Sequence, residues 1–349
     1  MSLILLRWIA DEALLYGFVE HLPTILLLVL VFVCILILSK GADWMIEGVV
    51  ALSSRTGLPR IVIGATIISL GTTTPEAFVS VMAAWMGDPG LALGNGVGSI
   101  IADTGLIFGL TCSIATVPVN RFILNRTGWV QVGSATLLVV ISLGALLVAR
   151  PNPVLGRATG LFFLALLVCY LLASYVWAKQ GAADIIEVPE TIPQASLRKS
   201  CFMIAGGLLL VVVSARVLIP CASALAKRIG VPEDVIAATM VAFGTSLPEL
   251  MTAVASVRKG HPEIMVGNIV GADVLNCLFV IGAAAVARPL EIPGNFFTFH
   301  FPAMLIILYS FRVFIFMNKD GRFKRFQGIW LLGVYVVYVV LQYTIGGRS

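Results

Sequence analysis

Charge is what this sequence has little of. Asp, Glu, Lys and Arg make up only 12% of its 349 residues, about half the share of an ordinary soluble domain. Hydrophobic residues reach 59% and the mean hydropathy is +1.01. A water-soluble globule of this size cannot hide that much apolar surface, because so much of its volume lies near its surface. Soluble, disordered and fibrous classes are therefore excluded. Histidine is nearly absent too. His21, His261 and His300 fall in no HExxH pair and no Ser–His arrangement, which argues against an intramembrane protease or hydrolase. Cysteine shows no CxxC spacing. Cys34, Cys112, Cys169, Cys201, Cys221 and Cys277 all lie in apolar stretches and read as small hydrophobes, not as a disulfide or metal framework. The first residues mix charges of both signs and lack a small-residue cleavage site, so they do not read as a signal peptide.

What is present is a series of apolar runs. A bilayer core takes about 20 apolar residues per helix. Ten runs meet that length: 23–50, 59–86, 90–116, 128–149, 155–178, 200–226, 231–258, 262–287, 297–317 and 326–345. The predicted class is an all-α membrane protein of ten helices. The longest polar connection, 179–199, is too short for a regulatory domain and reads as a linker between a first five-helix unit, 23–178, and a second, 200–349. Residues 1–22 read as a short interfacial segment with Arg7, Asp11 and Glu12 on its polar side. Fourteen loop Lys and Arg residues fall on the side of the linker and seven on the other. That bias predicts a cytoplasmic linker with both termini outside. The net +5 is thus a topological signal, and no nucleic-acid partner is implied.

The two halves repeat. Residues 55–109 align with 228–282 at a constant offset of 173, without a gap. GTTTPE at 71–76 sits over GTSLPE at 244–249, and GNGVGSIIAD at 94–103 over GNIVGADVLN at 267–276. Five spans separate equivalent points, and five is odd, so the second copy enters the membrane from the opposite face. Inverted repeats of this kind build transporters with a site near the bilayer midplane, at the repeat interface.

The strongest matches are polar and mid-membrane. Glu76 and Glu249 each sit deep in an apolar helix, where an ionised carboxylate costs at least about 2.5 kcal/mol, and a residue retained at that cost marks function. Pro75 and Pro248 remove a backbone donor just before each acid, and Gly71 and Gly244 loosen the same turn. Carbonyls near Ser69 and Ala242, with the hydroxyls of Thr72, Thr73, Thr245 and Ser246, then become oxygen ligands. Hard cations such as Ca2+ take six to eight oxygens of these types. In the next helix Asn95, Ser99 and Asp103 share one face, and Asn268, Ala272 and Asn276 the matching face. Gly94, Gly98, Gly267 and Gly271 favour close helix approach.

These paired motifs resemble the two alpha-repeats of the cation/Ca2+ antiporter superfamily, and are most similar to its prokaryotic sodium/calcium exchanger branch. The resemblance covers about a third of the chain directly. It implies Ca2+ export driven by inward Na+ through alternating access, with two gating helices sliding on a fixed core. It implies Glu76 and Glu249 as central Ca2+ ligands shared with Na+, flanked by Thr72 and Thr245. Thr73, Ser246, Ser99 and the carbonyls of Ser69 and Ala242 would complete flanking Na+ sites, with Asp103 and Asn276 as a lateral pair. The ions are cargo, and no cofactor is implied. A prokaryotic inner membrane is the expected location; nothing bears on oligomeric state.

Several positions depart from the pattern. Asp103 lies in the first repeat and Asn276 in the second, reversed from microbial relatives; Ala272 replaces a serine; Ile100 and Asp273 replace the Asn of a GSN triplet. The carboxylate count at the site is expected to stay at three while one Na+ site loses a hydroxyl. Mutual repulsion of the three acids makes proton competition with Ca2+ an expectation. Proton coupling, K+ dependence, or transport of Mg2+ or Mn2+ remain alternatives inside the superfamily, and a passive cation channel is the alternative outside it. Asp43 and Arg216 occupy repeat-equivalent positions. Either they pair across the pseudo-twofold or they snorkel to the headgroups.

Overall fold

With no water in the lipid, a spanning backbone must satisfy its polar groups internally, and helices do so within one segment. The computed structural model describes residues 17–118, 121–148, 152–181, 196–230, 246–318 and 320–346, and the long elements among them are all helical. They are α1 (Thr24–Thr56), α2 (Arg60–Thr72), α3 (Thr74–Met86), α4 (Pro89–Ile114), α5 (Arg121–Val148), α6 (Arg157–Gly181) and α7 (Leu197–Arg228). After residues outside the description come α8 (Leu247–Arg258), α9 (Pro262–Ala287), α10 (Phe296–Met317) and α11 (Arg325–Gly346).

Eight of these are single helices long and apolar enough to cross a bilayer, and α2 with α3 makes a ninth span bent by 40° around Thr73. Nine of the ten expected spans thus have counterparts. Of the tenth, 231–258, only α8 lies among the described residues. The expected interfacial segment is described only from residue 17, and most of the 179–199 linker lies outside the described residues.

Backbone geometry repeats with the sequence. Gly57 and Gly230 end their helices at φ +69° and +86°, and Gly87 and Gly260 at +87° and +78°. Each pair is 173 residues apart, and a left-handed helix terminus of this kind suits a residue without a Cβ. Thr73 (φ −83°, ψ −7°) and Ser246 (φ −86°, ψ 9°) open α3 and α8 alike. A π-helical turn interrupts α4 at Ala102–Phe108 and α9 at Asn276–Val280, at overlapping repeat positions. Two short strand pairs cross between the halves. β1 (Val117–Pro118), after α4, pairs with β4 (Arg322–Phe323), before α11; β3 (Leu290–Glu291), after α9, pairs with β2 (Val154–Leu155), before α6. Such a reciprocal exchange is what a pseudo-twofold axis requires.

The two most buried spans are α4 and α9, at the centre. Glycine lets α9 touch α2 backbone to backbone. A Cβ on Gly64 would lie 2.6 Å from the Ile264 carbonyl oxygen, and one on Gly267 would fall inside the Ile61 carbonyl. Helices α1 and α7 pack along each other on the outside, closest where Gly41 meets Gly207. The Asp43–Arg216 pairing is not formed. Asp43 pairs with Arg258 at 3.4 Å and Glu47 with Lys259 at 2.8 Å, tying α1 to the end of α8. Arg216 instead lies over the Phe78 ring, 5.9 Å from its centroid, within electrostatic range of Glu76. His261 is buried between Arg60 (2.8 Å) and Glu263 (3.5 Å), joining the two halves.

Candidate functional site

Each half of the site is built by a helix that stops and restarts. Pro75 has no N–H to give the Gly71 carbonyl one turn back, so the run 60–86 breaks into α2 and α3. Glu76 consequently sits in the first turn of α3, and Glu249, behind Pro248, in the first turn of α8. The N-terminal turn of a helix carries partial positive charge and favours a carboxylate. The carbonyl end of the preceding half-helix favours a cation, so the break offers both signs of dipole at one depth.

Both acids are 1% exposed, as is Asp103, in the first turn of the π-helical segment of α4. Glu76 lies within electrostatic range of Glu249 and Asp103, and Asp103 within range of Glu249 and Asp273. The Thr72 hydroxyl lies against Glu249 and bonds Asn268 Oδ1 at 3.4 Å. Ser246 faces Asp103. Asn95 donates to the Glu76 carbonyl at 3.0 Å and to Ser80 Oγ at 2.9 Å, fixing the first turn of α3 against α4. The Ser69 carbonyl accepts from Thr73 N at 2.8 Å and from the Thr72 hydroxyl at 3.3 Å. It must surrender one of these bonds to hold an ion.

The acceptors left over are concentrated here. Both carboxylate oxygens of Glu76, both of Asp103, Glu249 Oε2, Thr73 Oγ, Ser99 Oγ and Asn276 Oδ1 are buried without a hydrogen-bond partner. Natural proteins leave few buried polar atoms unsatisfied, and a site built to hold an ion is one standard reason for such a set. Among the described residues, no three Asp, Glu, His or Cys side chains converge at metal-ligand distance. Two carboxylates supplemented by hydroxyl, amide and backbone oxygens therefore fit the arrangement better than an all-carboxylate cage, which is how hard cations are commonly held.

Of the positions singled out from sequence, Ser69, Thr72, Thr73, Glu76, Ser99, Asp103, Ser246, Glu249 and Asn276 are all buried, on the α2–α3 break, α4 and the α8–α9 pair. Ala242 and Thr245 lie outside the described residues. Sequence reasoning missed two participants, Thr104 and Gln131, both of which bond Asp273, and it placed Asn95 on the polar face without its bonds to α3. A lone glutamine inside the apolar run of α5 was the available signal. Beside the three expected carboxylates, Asp273 is also 1% exposed and lies within electrostatic range of Asp103, a fourth buried acid.

A family model described as "Sodium/calcium exchanger protein" matches residues 26–176 and 199–344. The chain is 30% identical over 320 residues to the inner membrane protein YrbG of Escherichia coli K12, covering 90% of this chain and 96% of that protein. It is 26% identical to the sodium/calcium exchanger MaX1 of Methanosarcina acetivorans, covering 92% and 98%. Among solved structures, the sodium-calcium exchanger NCX_Mj soaked with 10 mM Na+ and zero Ca2+ superposes with a TM-score of 0.77 at 25% identity, covering 91% of this chain and 99% of that one.

Proposed function

Because the chain belongs to the sodium/calcium exchanger family, an integral membrane transporter family and not an enzyme family, we propose that it moves Ca2+ against Na+ through one central site bracketed by Glu76 and Glu249. The observation that carries this reading is the set of partnerless buried oxygens contributed by both halves around those two acids. Most are carboxylate or carbonyl oxygens, which can only accept, and that excess of acceptors calls for cations. Ca2+ would be shared by Glu76, Glu249, Thr72 and Thr245. Na+ would use the flanking set of Thr73, Ser246, Ser99 and the Ser69 and Ala242 carbonyls, with Asp103 and Asn276 to the side. Binding the two ions at overlapping oxygens makes them competitors, and competition at one site is what exchange requires.

Access from alternate faces would come from α1 and α7. They share a long mutual contact and turn much of their remaining surface outward, so they can slide as a pair over the core of α2–α4, α8 and α9. The loop charges support the linker on the cytoplasmic side and both termini outside.

The test is Ca2+ uptake into proteoliposomes under an imposed Na+ gradient. Uptake that saturates and stops when the gradient collapses is expected. Ca2+ flux under a pH gradient but none under a Na+ gradient would replace Na+ by H+ as the coupling ion, and unsaturable flux without any counter-ion would mean a channel.

A smaller effect is expected at Asn95. Asn95→Ala removes two hydrogen bonds that hold the first turn of α3, and loss of such a supporting contact weakens ion affinity by about tenfold. Equilibrium Ca2+ binding, beside an unchanged size-exclusion profile, checks it.

A further inference from the structure

Asp273 breaks the repeat: the residue 173 positions earlier is Ile100. Its side chain is nevertheless fully enclosed in α9. Its Oδ2 accepts from the Thr104 hydroxyl and from the Gln131 amide, the latter at 2.6 Å. Thr104 follows Asp103 in the π-helical segment of α4, and Gln131, 1% exposed, comes from α5. A buried polar triad that closed on itself would be plain architecture. This one does not close. Asp273 Oδ1 and Gln131 Oε1 have no partner, nor does either oxygen of the neighbouring Asp103.

Every leftover atom is an acceptor. Gln131 spends an N–H on Asp273, and its carbonyl oxygen is left open. Thr104 has likewise spent its proton there. Only the Ser246 hydroxyl, which faces Asp103, still has a proton to give, so most of the open oxygens stay unserved, and the two acids lie within electrostatic range of each other where lipid and protein screen little. A water molecule would supply hydrogen bonds but no charge. A divalent ion at the centre offsets two of the four carboxylates and leaves two. A monovalent cation beside these two offsets one of the remaining charges, and an all-oxygen set of carboxylate and amide suits a hard one.

We propose that Asp273, Asp103 and the Gln131 carbonyl oxygen form a lateral Na+ position beside the central site, with Thr104 holding Asp273 in place. It makes up for the hydroxyl absent at Ala272, one residue away. The inference rests on the Na+-coupled reading above and adds an ion position to it that the second repeat provides and the first does not.

The test uses the purified full chain, with radiolabelled Na+ binding at equilibrium and Na+-dependent Ca2+ release from proteoliposomes. Asp273→Asn is expected to bind one Na+ fewer than the parent, and to need about tenfold more Na+ for half-maximal release with a shallower Na+ dependence. Half-saturating Ca2+ should move by less than about threefold. Thr104→Val, which keeps the carboxylate, is expected to bind the same number of Na+ ions more weakly. Where Asp273→Asn also loses Ca2+ binding, Gln131→Leu, which changes no charge, is read instead and is expected to weaken Na+ alone. An unchanged Na+ count and Na+ dependence in Asp273→Asn overturns the proposal. So does a change confined to the pH profile, which would make Asp273 a proton site. A parent protein that binds Ca2+ but no Na+ would sink the exchange reading itself, a different result.

Discussion

Glu76→Gln and Glu249→Gln are each expected to lower Na+-driven Ca2+ uptake by about thirtyfold or more while the protein still folds. Glutamine keeps the volume and removes the charge, so packing is not the issue. Truncating one partner of a desolvated charged contact costs about 2–5 kcal/mol, and 1.4 kcal/mol is a factor of ten. The two positions are related by the repeat, both 1% exposed and both at the start of a restarted helix. Neither is a spare for the other, and losing either is expected to have a similar effect. Stability should move the opposite way. In the absence of ions these acids face each other without hydrogen-bond partners for three of their four oxygens, so neutralising one relieves repulsion. The ion-free thermal midpoint of each variant is expected to match or exceed the parent's. Added Ca2+ should raise the parent's midpoint and leave the variants' unchanged, because a ligand stabilises only the state that binds it. A thermal-shift series with and without Ca2+ checks both halves of that statement.

Gly267→Val is expected to cost about 3 kcal/mol or more and to prevent accumulation of folded protein. The reason is what it would strike. A Cβ at this position falls inside the Ile61 carbonyl group and lies 3.1 Å from Ala65 N. Both belong to the backbone of α2, which cannot swing aside as a side chain does. Tight α2–α9 contact also sets the distance between Thr72 and Asn268, whose 3.4 Å hydrogen bond crosses the two halves. Gly271 is held the same way, with a Cβ meeting the Ala65 carbonyl and, at 2.6 Å, Ser69 Oγ. By contrast, nothing lies within 4 Å of a Cβ on Gly333, in the outward-facing middle of α11. Gly333→Ala is expected to leave the thermal midpoint unchanged or slightly raised, since alanine favours helix by about 1 kcal/mol. Folded yield by fluorescence-detected size exclusion compares the two variants directly.

How much of this was legible beforehand follows from which residues carry periodic or repeated information. Helix existence was legible, because lipid forces apolar runs of spanning length, and each boundary of α4, α9 and α10 falls within a few residues of its expected place. The repeat gave away Glu76 and Glu249 for the same reason: a carboxylate kept twice at one offset in an apolar context has no packing explanation. The break near Thr73 was legible from Pro75. The π-helical turns were not, since they leave no mark in composition. Asp273 showed in the sequence only as a departure from the repeat and Gln131 only as a lone glutamine in an apolar run, and neither signalled that they meet with Thr104. They meet only in three dimensions, from α9, α4 and α5, and only one of the two repeats carries them. Symmetry was the guide to the site, so asymmetric members escaped it. The Asp43–Arg216 expectation failed in the same way. Repeat equivalence suggested the pair, but an inverted repeat sets equivalent residues on opposite sides of the midplane, and Asp43 pairs with Arg258 at the end of α8.

The most direct test of the central claim is equilibrium binding of radiolabelled Ca2+ to the purified chain, with Na+ as competitor, in the parent and in Glu76→Gln and Glu249→Gln. The account predicts one saturable Ca2+ per chain in the parent, displaced by Na+, and none in either variant at concentrations that fill the parent. Full Ca2+ binding in either variant, or parent Ca2+ that Na+ fails to displace, would contradict it.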